Sequence, residues 1–99
     1  MTWKVVFNPR VEDDVLQAAA WYESKRPGLG DALIDELIAV WRSLGENPLL
    51  GARKHPSRNL RWRFPERFPY RVLYEVDEVS RTVVVLAVLH AARHPATGA

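Results

Sequence analysis

The chain has 99 residues, 47% of them hydrophobic and 26% charged, which suits one modest globular domain and excludes disorder of the whole chain. It has no cysteine, so disulfides and thiolate metal sites are excluded, and no run of about 18 apolar residues is present to span a membrane. The formal charge of +2 hides an asymmetry: residues 1–50 hold five Lys/Arg against eight Asp/Glu, and residues 51–99 hold nine against four.

Trp3 to Phe7, with Val5 and Val6 between two aromatics, reads as a short strand. Asn8-Pro9 stops it and opens a helix at about Pro9, because Asn caps well and the missing proline N–H has no partner to lose in a first turn. Glu12, Asp13 and Asp14 complement the positive end of that helix, which runs to about Lys25 with Val11, Val15, Ala18, Ala19 and Tyr22 as its apolar stripe. Arg26-Pro-Gly-Leu-Gly30 breaks it, and the short link makes the next helix antiparallel. The Gly-Leu-Gly lacks the further glycine, the Lys-Ser/Thr and the preceding strand of a phosphate loop, so a helical-hairpin turn is expected there. The second helix opens at Asp31, buries Leu33, Leu37, Val40, Trp41 and Leu44 with Ile34 and Ile38, and ends at Gly45 and Asn47-Pro48.

Leu49 to Ser57 has no periodicity and reads as a loop. Asn59 to Phe64 alternates, with Leu60, Trp62 and Phe64 on one face and Arg61 and Arg63 on the other. Pro65 to Pro69 turns the chain, and Phe68 to Val76 forms the next strand, with Phe68, Tyr70, Val72, Tyr74 and Val76 facing the core and Arg71, Leu73 and Glu75 facing away. Thr82 to Leu89 is nearly all apolar and suits a central strand covered on both faces. The expected fold is α+β: an N-terminal strand, an antiparallel helical hairpin and a three-stranded antiparallel meander, with the first strand joining the same sheet. Residues 1–95 form one domain and 96–99 a short mobile tail in this reading.

Between residues 53 and 71 seven basic residues meet Glu66 alone, the footprint of a surface that binds nucleic acid or an acidic protein. If the strands pair so that Leu60, Trp62, Tyr70 and Val72 are buried, Arg61, Arg63 and Arg71 share the exposed face. The plainer alternatives are edge charge that resists aggregation, an Arg71–Glu75 pair along one strand face, and a His90 that caps or packs at the end of the last strand. His90 and His94 lie beside Pro95 without supporting ligands, so no metal site and no cofactor are expected.

Asn8-Pro9 with its acidic first turn, Trp21-Tyr-Glu23, Arg26-Pro-Gly-Leu-Gly30, Glu46-Asn-Pro48, Arg58-Asn-Leu60, Phe68-Pro-Tyr-Arg-Val-Leu-Tyr74 and Val88-Leu-His-Ala-Ala-Arg93-His-Pro95 resemble the ParE/RelE superfamily of bacterial type II toxins. The resemblance implies a cytoplasmic toxin held inactive in a complex by a cognate antitoxin. RelE-like members cleave messenger RNA on the ribosome, and ParE-like members inhibit DNA gyrase by binding it. In the first case Arg71 matches the catalytic arginine, with His90 or Arg93 as proton donor or second cation. In the second, Arg58, Arg61, Arg63 and Arg71 make a partner-binding surface. RelE-like enzymes place a tyrosine near the C-terminus and residues 95–99 have none, so the resemblance is closer to the ParE-like branch: a non-enzymatic gyrase inhibitor is the preferred expectation, with a messenger-RNA endonuclease and a non-toxic basic binding module as the alternatives.

Overall fold

Asn8 and Pro9 end the first strand and start the first helix by separate means. Asn8 Oδ1 accepts the Arg10 N–H at 3.0 Å, and Pro9 already has helical dihedrals, φ −54° and ψ −29°. The structure, a computed structural model, describes residues 2–50, 55 and 57–92. Its elements are β1 (Lys4–Phe7), α1 (Arg10–Lys25), α2 (Leu29–Glu46), β2 (Leu60–Arg63), β3 (Tyr70–Asp77) and β4 (Thr82–His90). The expected 96–99 tail lies outside the described residues.

The turn between the helices explains why Glu23 precedes the glycine cluster. Its Oε2 accepts the Gly28 N–H at 2.9 Å and its Oε1 the Gly30 N–H at 3.0 Å, so the carboxylate holds amides at the start of α2 that no helical carbonyl can reach. Gly28 sits at φ 88°, a left-handed conformation that glycine tolerates. Gly30 is needed for a different reason. A Cβ there would lie 2.6 Å from the Ala19 carbonyl oxygen, so this glycine lets α2 cross α1 at close range. Helix α2 therefore begins at Leu29, two residues before the acidic residue that marks its start in the sequence.

The hairpin covers one face of a four-stranded sheet of order β1-β4-β3-β2. Strands β2, β3 and β4 form the expected antiparallel meander, and β1 joins it parallel to β4, with Val5 opposite Val83 and Phe7 opposite Val85. Leu33, Leu37 and Leu44 from α2 pack against Val72, Tyr74, Val83 and Val85, none more than 1% exposed. Fully burying each such side chain contributes roughly 1.5–3 kcal/mol, so this layer dominates the stability.

Two expectations about faces are corrected. Strand β4 is central but not covered on both faces: Val83 and Val85 are buried against the helices, while Val84 and Leu86 are only half-buried on the outer face. Leu73 pairs with Ala87 and Tyr74 with Val85, which leaves Leu86 as an extra residue, a bulge after which Ala87 and Val88 are both buried. In β2 the phase is opposite to the expected one. Trp62 lies opposite Leu73 and Leu60 opposite Glu75, so Leu60 and Trp62 share the outer face with Arg71, whereas Arg61 opposite Tyr74 and Arg63 opposite Val72 turn toward the helices.

The reason is electrostatic. Helix α2 has no basic residue in its last turn, and β2 is an edge strand from which a long side chain can reach that end. Arg63 donates to Ser43 Oγ, to the Asn47 carbonyl and to the Tyr74 hydroxyl at 3.0, 3.0 and 3.1 Å, and Tyr74 in turn donates to the Pro48 carbonyl at 2.8 Å. Arg61 donates to Asn59 Oδ1 at 2.9 Å and to the Leu49 carbonyl at 3.0 Å. These arginines tie the exit of α2 to the sheet.

Candidate functional site on the outer sheet face

The sheet face away from the helices collects Leu60 and Trp62 from β2, Arg71, Leu73 and Glu75 from β3, and Val84 and Leu89 from β4. The guanidinium of Arg71 lies 5.9 Å from the centre of the Trp62 ring, at the outer limit of a cation–π contact. Its backbone partner across the sheet is Leu89. The site is a half-buried apolar and aromatic surface with an arginine set in it, suited to docking against an apolar surface that carries a carboxylate.

Arg58, just before β2, reaches the same face and makes a two-pronged pair with Glu75, Nη2 to Oε1 at 2.7 Å and Nε to Oε2 at 3.0 Å. The Arg58 hydrogen bonds hold the Glu75 carboxyl below its ordinary range, and the same bonds raise the guanidinium pKa. Glu75, offered in the sequence as an alternative partner for Arg71, is held by Arg58 through Nε and Nη2.

His90 is on the other face. It lies opposite Tyr70, with the two rings edge to face at 5.1 Å, and its Nδ1 accepts the Ala92 N–H at 3.1 Å. Tyr70 is itself in the core, with Tyr22 and Phe68 beside it. Adjacent residues of a strand point to opposite faces, so the Arg71–Leu89 and Tyr70–His90 rungs keep Arg71 and His90 apart. Arg93 lies outside the described residues. Of the arginines expected on one surface, Arg58 and Arg71 share the outer face, and Arg61 and Arg63 hold the end of α2. Among the described residues no three His, Asp or Glu side chains converge as a metal site requires, and no helix is long and apolar enough to cross a membrane.

Three acidic residues have roles that the sequence pattern did not single out. Glu23 caps α2, Asp14 binds the edge of β4, and Glu36 holds the turn before β3 by accepting from the Arg67 amide at 2.9 Å and from its guanidinium. For Glu23 the signal was present, an acidic side chain one turn before two glycines that start a helix. For Glu36 it was not, since nothing local links α2 to a turn about thirty residues away.

Burial alone would raise the Glu36 pKa, but the bonds from Arg67 outweigh it and the carboxyl is held low. Glu36 and Glu75 then contribute stability that is present above their ordinary value of 4.5 and lost as pH falls through their lower folded values. The urea midpoint is therefore expected to hold from neutrality to about pH 5 and to fall below it, less steeply in Glu75→Gln. An unchanged slope in that variant would remove Glu75 from the account.

The sequence matches the family model described as the ParE toxin of the type II toxin-antitoxin system parDE over residues 5–95. No curated protein sequence matches it. Among solved structures, a chain of the chromosomal ParDE toxin-antitoxin system from P. aeruginosa superposes with a TM-score of 0.74 at 14% identity, covering 89% of this chain and 95% of that one. A mutant of the E. coli toxin RelE in its free state gives 0.71 at 18%, covering 99% and 93%. The RelBE2 toxin-antitoxin complex from Mycobacterium tuberculosis gives 0.60 at 23%, covering 91% and 99%. At these identities the likeness is one of fold.

Proposed function

The chain belongs to the ParE toxin family of type II toxin-antitoxin systems, and from that premise we propose that it acts by binding a protein target, DNA gyrase, through the outer sheet face and is neutralised by a cognate antitoxin in the cytoplasm. The observation that carries this reading is the separation of Arg71 from His90 across the sheet. Cleaving RNA by its 2′-hydroxyl needs a base, a cation and an acid within reach of a single phosphate. Arg71 and His90, two of the candidates for that set, face opposite ways. Docking needs no such convergence. Trp62 and Arg71 side by side on an apolar face are the residue types that anchor protein interfaces, and Arg58 beside them is held in place by Glu75.

The test is induction of the chain alone in cells carrying a DNA-damage reporter, with protein synthesis followed by pulse labelling. Gyrase inhibition is expected to switch on the damage response while translation continues. Loss of protein synthesis within minutes, ahead of any damage signal, would replace this reading by ribosome-dependent cleavage of messenger RNA with Arg71 as the phosphate-holding cation.

A further inference from the structure

A groove of about 570 Å³ between α1 and the end of β4 is lined mainly by hydrogen-bond donors, with Arg10, Asp14, Gln17, Trp21, Tyr70 and His90 on its walls. Tyr70 is only 5% exposed, and its hydroxyl has no hydrogen-bond partner among the described residues. No buried side-chain oxygen is left unpartnered there, so the hydroxyl is the part of Tyr70 that reaches the groove. His90 Nδ1 accepts the Ala92 N–H at 3.1 Å, which puts the proton of the neutral ring on Nε2 and makes that nitrogen a donor. The Gln17 amide bonds no other described residue. Asp14, the acid on the wall, is already engaged: its Oδ2 accepts the Val88 N–H at 3.0 Å and Arg10 Nε at 3.3 Å.

We propose that this groove binds a small organic carboxylate with an aromatic or aliphatic body; the inference stands apart from the toxin reading above. The class of ligand follows from the donors. The Tyr70 hydroxyl and His90 Nε2–H have hydrogen bonds to give and no protein acceptor to give them to, so the ligand supplies acceptor oxygens, and a carboxylate supplies two. Arg10 provides the opposite charge, and because it is shared with Asp14 the wall is close to neutral, which suits a monoanion better than a phosphate dianion. Trp21, 55% exposed, with Ala18 and Val88 forms an apolar wall for the ligand's body, and the volume lies within the range of small-molecule sites, about 300–1,000 Å³. Tyr70 and Arg71 are neighbours on one strand and face opposite ways, so a ligand in the groove leaves the outer sheet face open.

The probe is phenylacetate, titrated into the purified full chain and followed by the NMR resonances of the Trp21 indole N–H and the His90 amide. Saturable shifts at both are expected, with a Kd of about 1 mM or tighter. Phenylacetamide, which has the same shape without the charge, and inorganic phosphate are each expected to bind about tenfold more weakly or not at all. Tyr70→Phe keeps the ring and removes only a hydroxyl that bonds nothing in the protein, so it is expected to weaken phenylacetate about tenfold while leaving the urea midpoint where it is in the parent. That pairing separates a ligand contact from a structural role. Equal shifts from phenylacetamide or phosphate overturn the carboxylate assignment. Parent-like binding by Tyr70→Phe, or no shift at Trp21 and His90 at about 20 mM phenylacetate, overturns the site itself.

Discussion

Gly30→Ala is expected to cost about 2 kcal/mol and to lower the melting temperature by roughly 10 °C, although alanine is the better helix former. The gain in propensity, about 1 kcal/mol, is outweighed because the added Cβ meets backbone rather than a side chain that can move aside. It would sit 2.6 Å from the Ala19 carbonyl oxygen, 3.3 Å from the Ala19 carbonyl carbon and 3.1 Å from Glu23 Oε1, so α2 must retreat from α1 and lose the Glu23 cap together with the close approach. Gly28→Ala is the control. Nothing lies within 4 Å of its added Cβ, and its cost is the left-handed backbone alone, about 1 kcal/mol. Thermal melts of the two variants check the order: equal losses, or a smaller loss for Gly30→Ala, would show that the helices do not need this approach.

The second large effect separates two arginines that sit close together in the fold and have different work. Arg71→Ala removes a side chain from the outer face and the contact with Trp62, and is expected to change stability by less than about 1 kcal/mol while abolishing growth inhibition. Arg63→Ala removes bonds to Ser43, the Asn47 carbonyl and the Tyr74 hydroxyl, and is expected to cost about 2 kcal/mol. Its effect on growth inhibition should follow from lower abundance only. Viable counts after induction, corrected for toxin level by immunoblot and set beside urea denaturation, read both at once. Full growth inhibition by a well-folded Arg71→Ala toxin would remove the outer face as the target surface, and a fully stable Arg63→Ala would remove the helix-end role.

The order and type of the elements were legible in the chain itself. Asn8-Pro9, the glycine cluster and Asn47-Pro48 act through local backbone chemistry, and the boundaries they mark agree with the helices to within about two residues. The alternation of Phe68, Tyr70, Val72, Tyr74 and Val76 also placed one face of β3 in the core, since five apolar side chains in phase have one stable place to go. Half of the candidate site was visible in the same way: Arg71 on the far side of β3.

The other half was decided by tertiary contacts. A period of two divides β2 into Leu60 and Trp62 against Arg61 and Arg63 but does not say which pair turns inward, because both choices satisfy the pattern. Apolar burial argued for Leu60 and Trp62. The carbonyls at the end of α2, the Tyr74 hydroxyl and the position of β2 at the sheet edge argued for the arginines, and they prevailed, since an edge strand lets a guanidinium reach a helix end without being fully desolvated. The same contacts put Trp62 beside Arg71 on the outer face. The bulge at Leu86 and the parallel pairing of β1 with β4 are likewise products of the assembled sheet. Local chemistry determined which segments would be helix and strand; which side chains share a surface was determined by the partners those segments met.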